Sequence, residues 1–137
     1  MKHDGAAVRE DWKTLDLPDR VASLDVDLEL RPEEVDRISL GHVPEGMDDK
    51  WFIYRAGDRL FFHRSWTGTC VYSAAIKESE NGGRIGQVFV NRDPEQYRET
   101  DDRRDAQILR FLIEAILLQR NVPFPSRADA PAKLRPI

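Results

Sequence analysis

The stretch Trp51-Phe52-Ile53-Tyr54-Arg55-Ala56-Gly57-Asp58-Arg59-Leu60-Phe61-Phe62-His63-Arg64 decides the fold. Two aromatic-rich runs, Trp51 to Arg55 and Leu60 to Arg64, flank Ala56 to Arg59, where a glycine accepts positive φ, so the spacing predicts a tight β-hairpin. Downstream, strands are expected from Thr69 to about Lys77 and from Arg84 to Val90, with Glu80-Asn81-Gly82-Gly83 as the turn between them. Connections this short force antiparallel neighbours. Upstream, Leu24, Val26, Leu28 and Leu30 alternate with Asp25, Asp27 and Glu29, the period-two pattern of a strand with one wet face.

Two helices complete the pattern. Arg31-Pro32-Glu33-Glu34 sets a proline and two acids where a first helical turn accepts them, and Val35, Ile38 and Ser39 follow at helical spacing, so a short helix should reach about Leu40. Thr100 offers an N-cap with Asp101 and Asp102 behind it, and Ile108, Leu109, Leu112, Ile113, Ile116 and Leu117 recur at three- and four-residue spacing. That helix should run to about Arg120 and cover the sheet. The fold class is therefore α+β: an antiparallel meander of about five strands packed against a C-terminal helix, with a short helix after the first strand.

Around this domain, residues 21–121, the polar segment 1–20 reads as a loose arm with a lone Trp12, and 122–137 as a flexible tail holding Pro123, Pro125, Pro131 and Pro136. Aromatic residues occupy both phases of the central strands, so both sheet faces should be partly covered, by the Glu33 to Leu40 helix or by a second subunit.

Composition bounds function before any motif does. The 137 residues carry 21 basic and 25 acidic side chains, a formal net charge of −4, which suits one domain and disfavours non-specific nucleic-acid binding. Apolar runs such as Ala115 to Leu118 fall far short of the roughly 20 residues that cross a bilayer, so no membrane association is expected. A single cysteine, Cys70, excludes an internal disulfide and a multi-cysteine zinc site; set between strand residues, it reads as a small buried hydrophobe. With Asp4, Glu10 and Asp11 where a secretory leader would be apolar, a cytoplasmic location is the expectation. No phosphate-loop, dinucleotide or zinc-protease motif is present, so neither a cofactor nor a metal is expected.

Chemistry concentrates in His63-Arg64-Ser65-Trp66-Thr67-Gly68, where polar groups interrupt a hydrophobic strand that then turns at a glycine. Arg64 can grip a phosphate or carboxylate, Trp66 can stack on a base or sugar, and Ser65 and Thr67 can offer hydroxyls. The competing reading has Trp66 in the core, Thr67-Gly68 as the turn and Arg64 paired with a local acid. Strand alternation sends Arg64 and Trp66 to the side of Phe62 and His63 and Ser65 to the side of Phe61, so these residues converge only if the strand bulges. Lys50 and Arg92 are the candidate neighbours in a ligand-binding set of Lys50, Arg64, Ser65, Trp66, Thr67 and Arg92. The adjacent Asp48 and Asp49 diverge in extended chain and read as surface turn chemistry, not as a metal site. His63 is the one catalytic candidate, as an acid or base beside Ser65, and that role requires it to line an open cleft.

Three segments, Asp48 to Tyr54, His63 to Gly68 and Val90-Asn91-Arg92-Asp93-Pro94-Glu95-Gln96-Tyr97, together resemble a family of small bacterial domains of unassigned function. The resemblance spans about Leu24 to Leu118 and implies a setting among proteins of ADP-ribose metabolism, with no catalytic residues to carry over. The reading that follows is a binding or accessory module for an anionic, nucleotide-like ligand or a protein partner. The alternatives are a small hydrolase or transferase acting on a nucleotide or ADP-ribosyl group through His63, and a structural protein completed as a homodimer.

Overall fold

A computed structural model describes residues 5–125. Five strands form one antiparallel sheet: β1 (Val21–Leu30), β2 (Trp51–Ala56), β3 (Arg59–Arg64), β4 (Cys70–Ser79) and β5 (Gly82–Asn91), in the spatial order β1-β5-β4-β3-β2. The short helix α1 (Pro32–Ile38) follows β1, and α2 (Asp102–Phe111) follows β5. This is the α+β architecture that the periodicity predicts.

The alternating residues of β1 do face the core, but the strand is not regular. Between Asp25 and Leu28 it carries one residue more than β5 does opposite, and Asp27 takes the left-handed conformation with φ 54°. Arg84 Nε donates to its carboxylate at 2.7 Å, which anchors the bulge. Bulge and acids together also blunt β1 as an exposed edge.

On one face of the sheet, Ile53, Leu60, Phe62, Tyr72, Ala74, Ile76, Ile85, Val88 and Val90 meet Val35 and Ile38 of α1 and Leu109 of α2. The N-cap of α2 is Asp101 and not Thr100: its carboxylate accepts from Arg103 N at 3.0 Å and Arg104 N at 3.4 Å. Beyond Phe111 the helix widens into a π-helical segment, Leu112–Leu117, and so departs from the single α-helix expected to Arg120. The wider turn keeps Leu112, Ile113 and Leu117 all buried against the sheet. At the far end, Tyr72 and Tyr97 hydroxyls donate to the buried Asp105 at 2.8 and 2.5 Å, tying α2 to β4 and to the segment after β5.

The opposite face corrects the expectation of a loose arm. Ala7 and Trp12 pack on Phe52, Tyr54 and Phe61, with the Trp12 ring 6.4 Å from that of Phe52. Three bonds fasten this segment: Ala7 N to Leu40 O (2.7 Å), Leu15 N to Gly68 O (2.8 Å) and Trp12 Nε1 to Ser65 O (2.7 Å). The cover over these aromatics is thus the segment Ala7 to Leu15 of the same chain, while α1 lies on the other face. A lone indole in a polar segment has no other apolar place to go.

The tail expectation changes in part. Phe124 sits edge-on to Phe111 at 5.0 Å, beneath the Arg104 guanidinium at 5.3 Å, and Arg104 Nη1 donates to Pro125 O at 2.6 Å. Residues 126–137, most of the expected tail, and residues 1–4 lie outside the described residues. Among the described residues, no helix is long and apolar enough to cross a membrane.

Candidate functional site

The pairing of β3 with β4 shifts between Phe62 and His63, and β3 ends at Arg64. Residues 65–67 then turn rather than continue the strand, and Gly68 N donates back to Arg64 O at 2.8 Å. Gly68 holds φ +81°, and a Cβ there would stand 3.1 Å from Lys13 O, so both the turn and the docked N-terminal segment need glycine. Because alternation stops at Arg64, Trp66 no longer follows the Phe62 side. Lys50, Arg64, Ser65, Trp66 and Thr67 consequently line one recess of about 250 Å³.

Within it the side chains have different duties. Arg64 is exposed, with its guanidinium 5.2 Å from the centre of the Trp51 ring, which stacks on Tyr72 at 6.1 Å. Lys50 places its ammonium 5.8 Å from the Trp66 ring centre. Among the described residues, neither cation has an acidic partner. The nearest carboxylate in sequence, Asp49, is drawn away, accepting from His42 Nε2 at 2.6 Å and Glu45 N at 3.2 Å. Trp66 is 61% exposed, which excludes the core reading for it, and its indole N–H is fixed on Met47 O at 3.0 Å.

The hydroxyls expected to face a ligand do local work instead. Ser65 is buried and donates to Asp49 O at 2.8 Å, while its own carbonyl takes the Trp12 indole. Thr67 donates to Thr69 Oγ1 at 2.9 Å and accepts from Thr69 N at 3.2 Å. Their part in the recess is wall and turn.

Arg92 does not join the recess. It lies at the same end of the sheet, beyond β5, but Nη2 forms ion pairs with Asp102 (2.6 Å) and Asp105 (2.7 Å), and Nη1 donates to Glu99 O at 3.0 Å. A guanidinium so engaged is a structural clamp on the start of α2.

The acid–base role of His63 meets a different obstacle. The imidazole is 2% exposed, flanked by the rings of Tyr54 at 5.7 Å and Phe52 at 6.1 Å, and it lines no open cleft. Its Nδ1 donates to Gly68 O at 2.9 Å, which leaves Nε2 as the unprotonated nitrogen, buried without a hydrogen-bond partner. Burial pushes its pKa below the ordinary histidine value, against the opposing pull of the Gly68 carbonyl. No hydrogen bond links it to Ser65, whose hydroxyl is committed to Asp49. Cys70 is buried too, and desolvation drives its thiol up to about 12, far from an activated thiolate.

Models of protein families, curated proteins and solved structures all give no match to this chain.

Sequence reasoning missed a second recess, of about 560 Å³, lined by Trp12, Lys13, Pro44, Glu45, Gly46, Met47, Ser65 and Trp66. Trp66 and Ser65 are common to both recesses. Its outer wall depends on the contact between residues 12 and 65, too distant along the chain for any local pattern to announce. Among the described residues, no group of three His, Cys, Asp or Glu side chains gathers where a metal could be held.

Proposed function

We propose that this chain is a binding module that holds a small anionic ligand, a phosphate or carboxylate compound, in the recess between Lys50 and Arg64. One observation carries the reading: two cations without an acidic partner among the described residues flank an exposed, hydrogen-bond-anchored indole in a single recess. Such cations keep their hydrogen-bonding capacity for a ligand, and Arg64, braced by cation–π contact with Trp51, presents a planar fork to an anion. Trp66 supplies an apolar wall whose orientation is set before binding, which lowers the cost of association. The resemblance to domains of ADP-ribose metabolism makes ribose phosphates the first ligands to try. An accessory role, with binding and no turnover, accords with the burial of His63.

A thermal-shift titration with ADP-ribose, ribose 5-phosphate and a single-stranded oligonucleotide tests the proposal. Ligand at about 100 times Kd stabilises the folded form by about 2.7 kcal/mol. That stabilisation should be lost in an Arg64→Ala, Trp66→Ala double variant and in Lys50→Ala. If no compound stabilises the wild type more than the double variant, the proposal fails.

A further inference from the structure

The two recesses that share Trp66 differ in charge. The smaller, about 250 Å³, is lined by two cations, Lys50 and Arg64, and by no acid. The larger, about 560 Å³, is lined by one cation and one acid, Lys13 and Glu45, whose formal charges cancel, and otherwise by Trp12, Pro44, Met47 and their neighbours. Size divides them in the same way. Pockets that enclose a whole organic ligand run from about 300 to 1,000 Å³. The smaller recess lies below that range and suits an anionic group alone, whereas the larger lies within it.

Resting on the binding reading above, we infer that the site is bipartite and that its ligand class is a phosphate monoester carrying a flat ring, a nucleoside monophosphate in chemical kind. The phosphate sits between Lys50 and Arg64, and the ring sits in the larger recess against Trp66 and Met47. Three observations point there. Trp66 and Ser65 line both compartments, so the two recesses adjoin at the indole and one ligand can touch both. The Trp66 indole N–H donates to the Met47 carbonyl at 3.0 Å, which holds the ring against the backbone of the loop that carries Met47. Met47 is itself 76% exposed and Trp66 61%, an apolar pair left wet beside two cations. Methionine and indole form an adaptable surface for an aromatic ring, and aromatic side chains stack on any nucleobase. The charges set the direction of binding: Lys13 and Glu45 cancel in the larger recess, while the two unopposed cations favour a phosphate in the smaller.

Calorimetric titration of the full chain with AMP, ribose 5-phosphate and adenosine, on the wild type, Met47→Glu and Lys50→Glu, tests the inference. Met47 is exposed, so its replacement leaves the core untouched. The inference expects AMP to bind at least about fivefold tighter than ribose 5-phosphate, the lower end of what one stacked base contributes. Met47→Glu should erase the preference for AMP over ribose 5-phosphate, and Lys50→Glu should weaken both phosphates. Equal affinity of the wild type for AMP and ribose 5-phosphate overturns the bipartite site and leaves the anion site standing. So does an AMP preference that survives Met47→Glu. Failure of both phosphates to bind the wild type overturns the binding reading itself.

Discussion

Acidification through the ordinary histidine range destabilises this fold through His63. The imidazole is 2% exposed, its Nδ1–H is committed to Gly68 O, and Nε2 has no partner in an enclosure walled by Phe52 and Tyr54. A proton added at Nε2 would bring a charged N–H into that enclosure, so burial holds the folded-state pKa down, helped by Arg9 and opposed by the Gly68 carbonyl and Asp16. In the unfolded chain the same side chain takes up its proton near pH 6.5, about the unperturbed value. Between that pH and the lower folded-state value the unfolded chain binds one more proton than the folded one, so stability falls as pH falls. The loss approaches about 1.4 kcal/mol per pH unit, the limit for one proton. Against a typical stability of about 5 to 15 kcal/mol, one unit is a readable effect. The assay is urea unfolding followed by tryptophan fluorescence at constant ionic strength, for the wild type and His63→Gln, between about pH 6.5 and about pH 5. Glu34, whose carboxyl is held below its ordinary value by the Arg31 backbone N–H, adds its own loss only at lower pH. The variant removes the His63 titration and retains every other group, so its stability should fall less steeply than that of the wild type. Identical slopes for the two proteins, or a wild type that gains stability on acidification, would refute the argument.

Other predictions concern what holds the frame of the site. Asp105→Ala leaves Arg92 and the Tyr72 and Tyr97 hydroxyls without their shared buried acceptor, so it should cost about 3 to 5 kcal/mol in urea unfolding, with Asp105→Asn, which keeps an acceptor, costing less. Near-equal, sub-kilocalorie losses for both would show that the cluster does not anchor α2. Gly57 and Gly82 both hold positive φ, but an added Cβ meets nothing within 4 Å at Gly57 and lies 2.1 Å from Leu30 O at Gly82. Gly57→Ala should therefore cost about 1 to 2 kcal/mol from the left-handed backbone alone, and Gly82→Ala clearly more, because β1 must also move.

The elements legible in the sequence were those whose signal is periodic and local. The alternation of β1, the glycine turn of the hairpin and the apolar stripe of α2 each lie within a few consecutive turns or residues. What the sequence could not convey was long-range or energetic. Trp12 docks on Phe52 and Ser65, forty and more positions away, so its segment reads as loose when taken alone. Arg92 and Arg64 look equivalent as basic residues at strand ends, yet the first meets Asp102 and Asp105 across a turn and the second, among the described residues, meets an aromatic ring and no acid. For Ser65 and Thr67 the residue types were right for a ligand, but the tight turn consumed their hydroxyls. Alternation misplaced Trp66 because the strand ends at Arg64, and the turn that Gly68 closes has already begun at Trp66.

That contrast between Arg92 and Arg64 bears on how an acidic chain could hold an anion. With a net charge of −4, the long-range field repels an anionic ligand, so steering cannot supply the affinity. Binding has to come from contacts within the recess, where Lys50 and Arg64 meet a ligand at close range. Added salt then has two opposed effects: it screens the repulsive whole-chain field acting over more than a Debye length, about 8 Å at physiological ionic strength, and it weakens the close pairs much less. Binding of a phosphate to this site should consequently depend only weakly on salt up to about that ionic strength. A steep loss of affinity with salt would instead indicate diffuse attraction to the exposed cations along the strand ends, and the recess would not be the seat of binding.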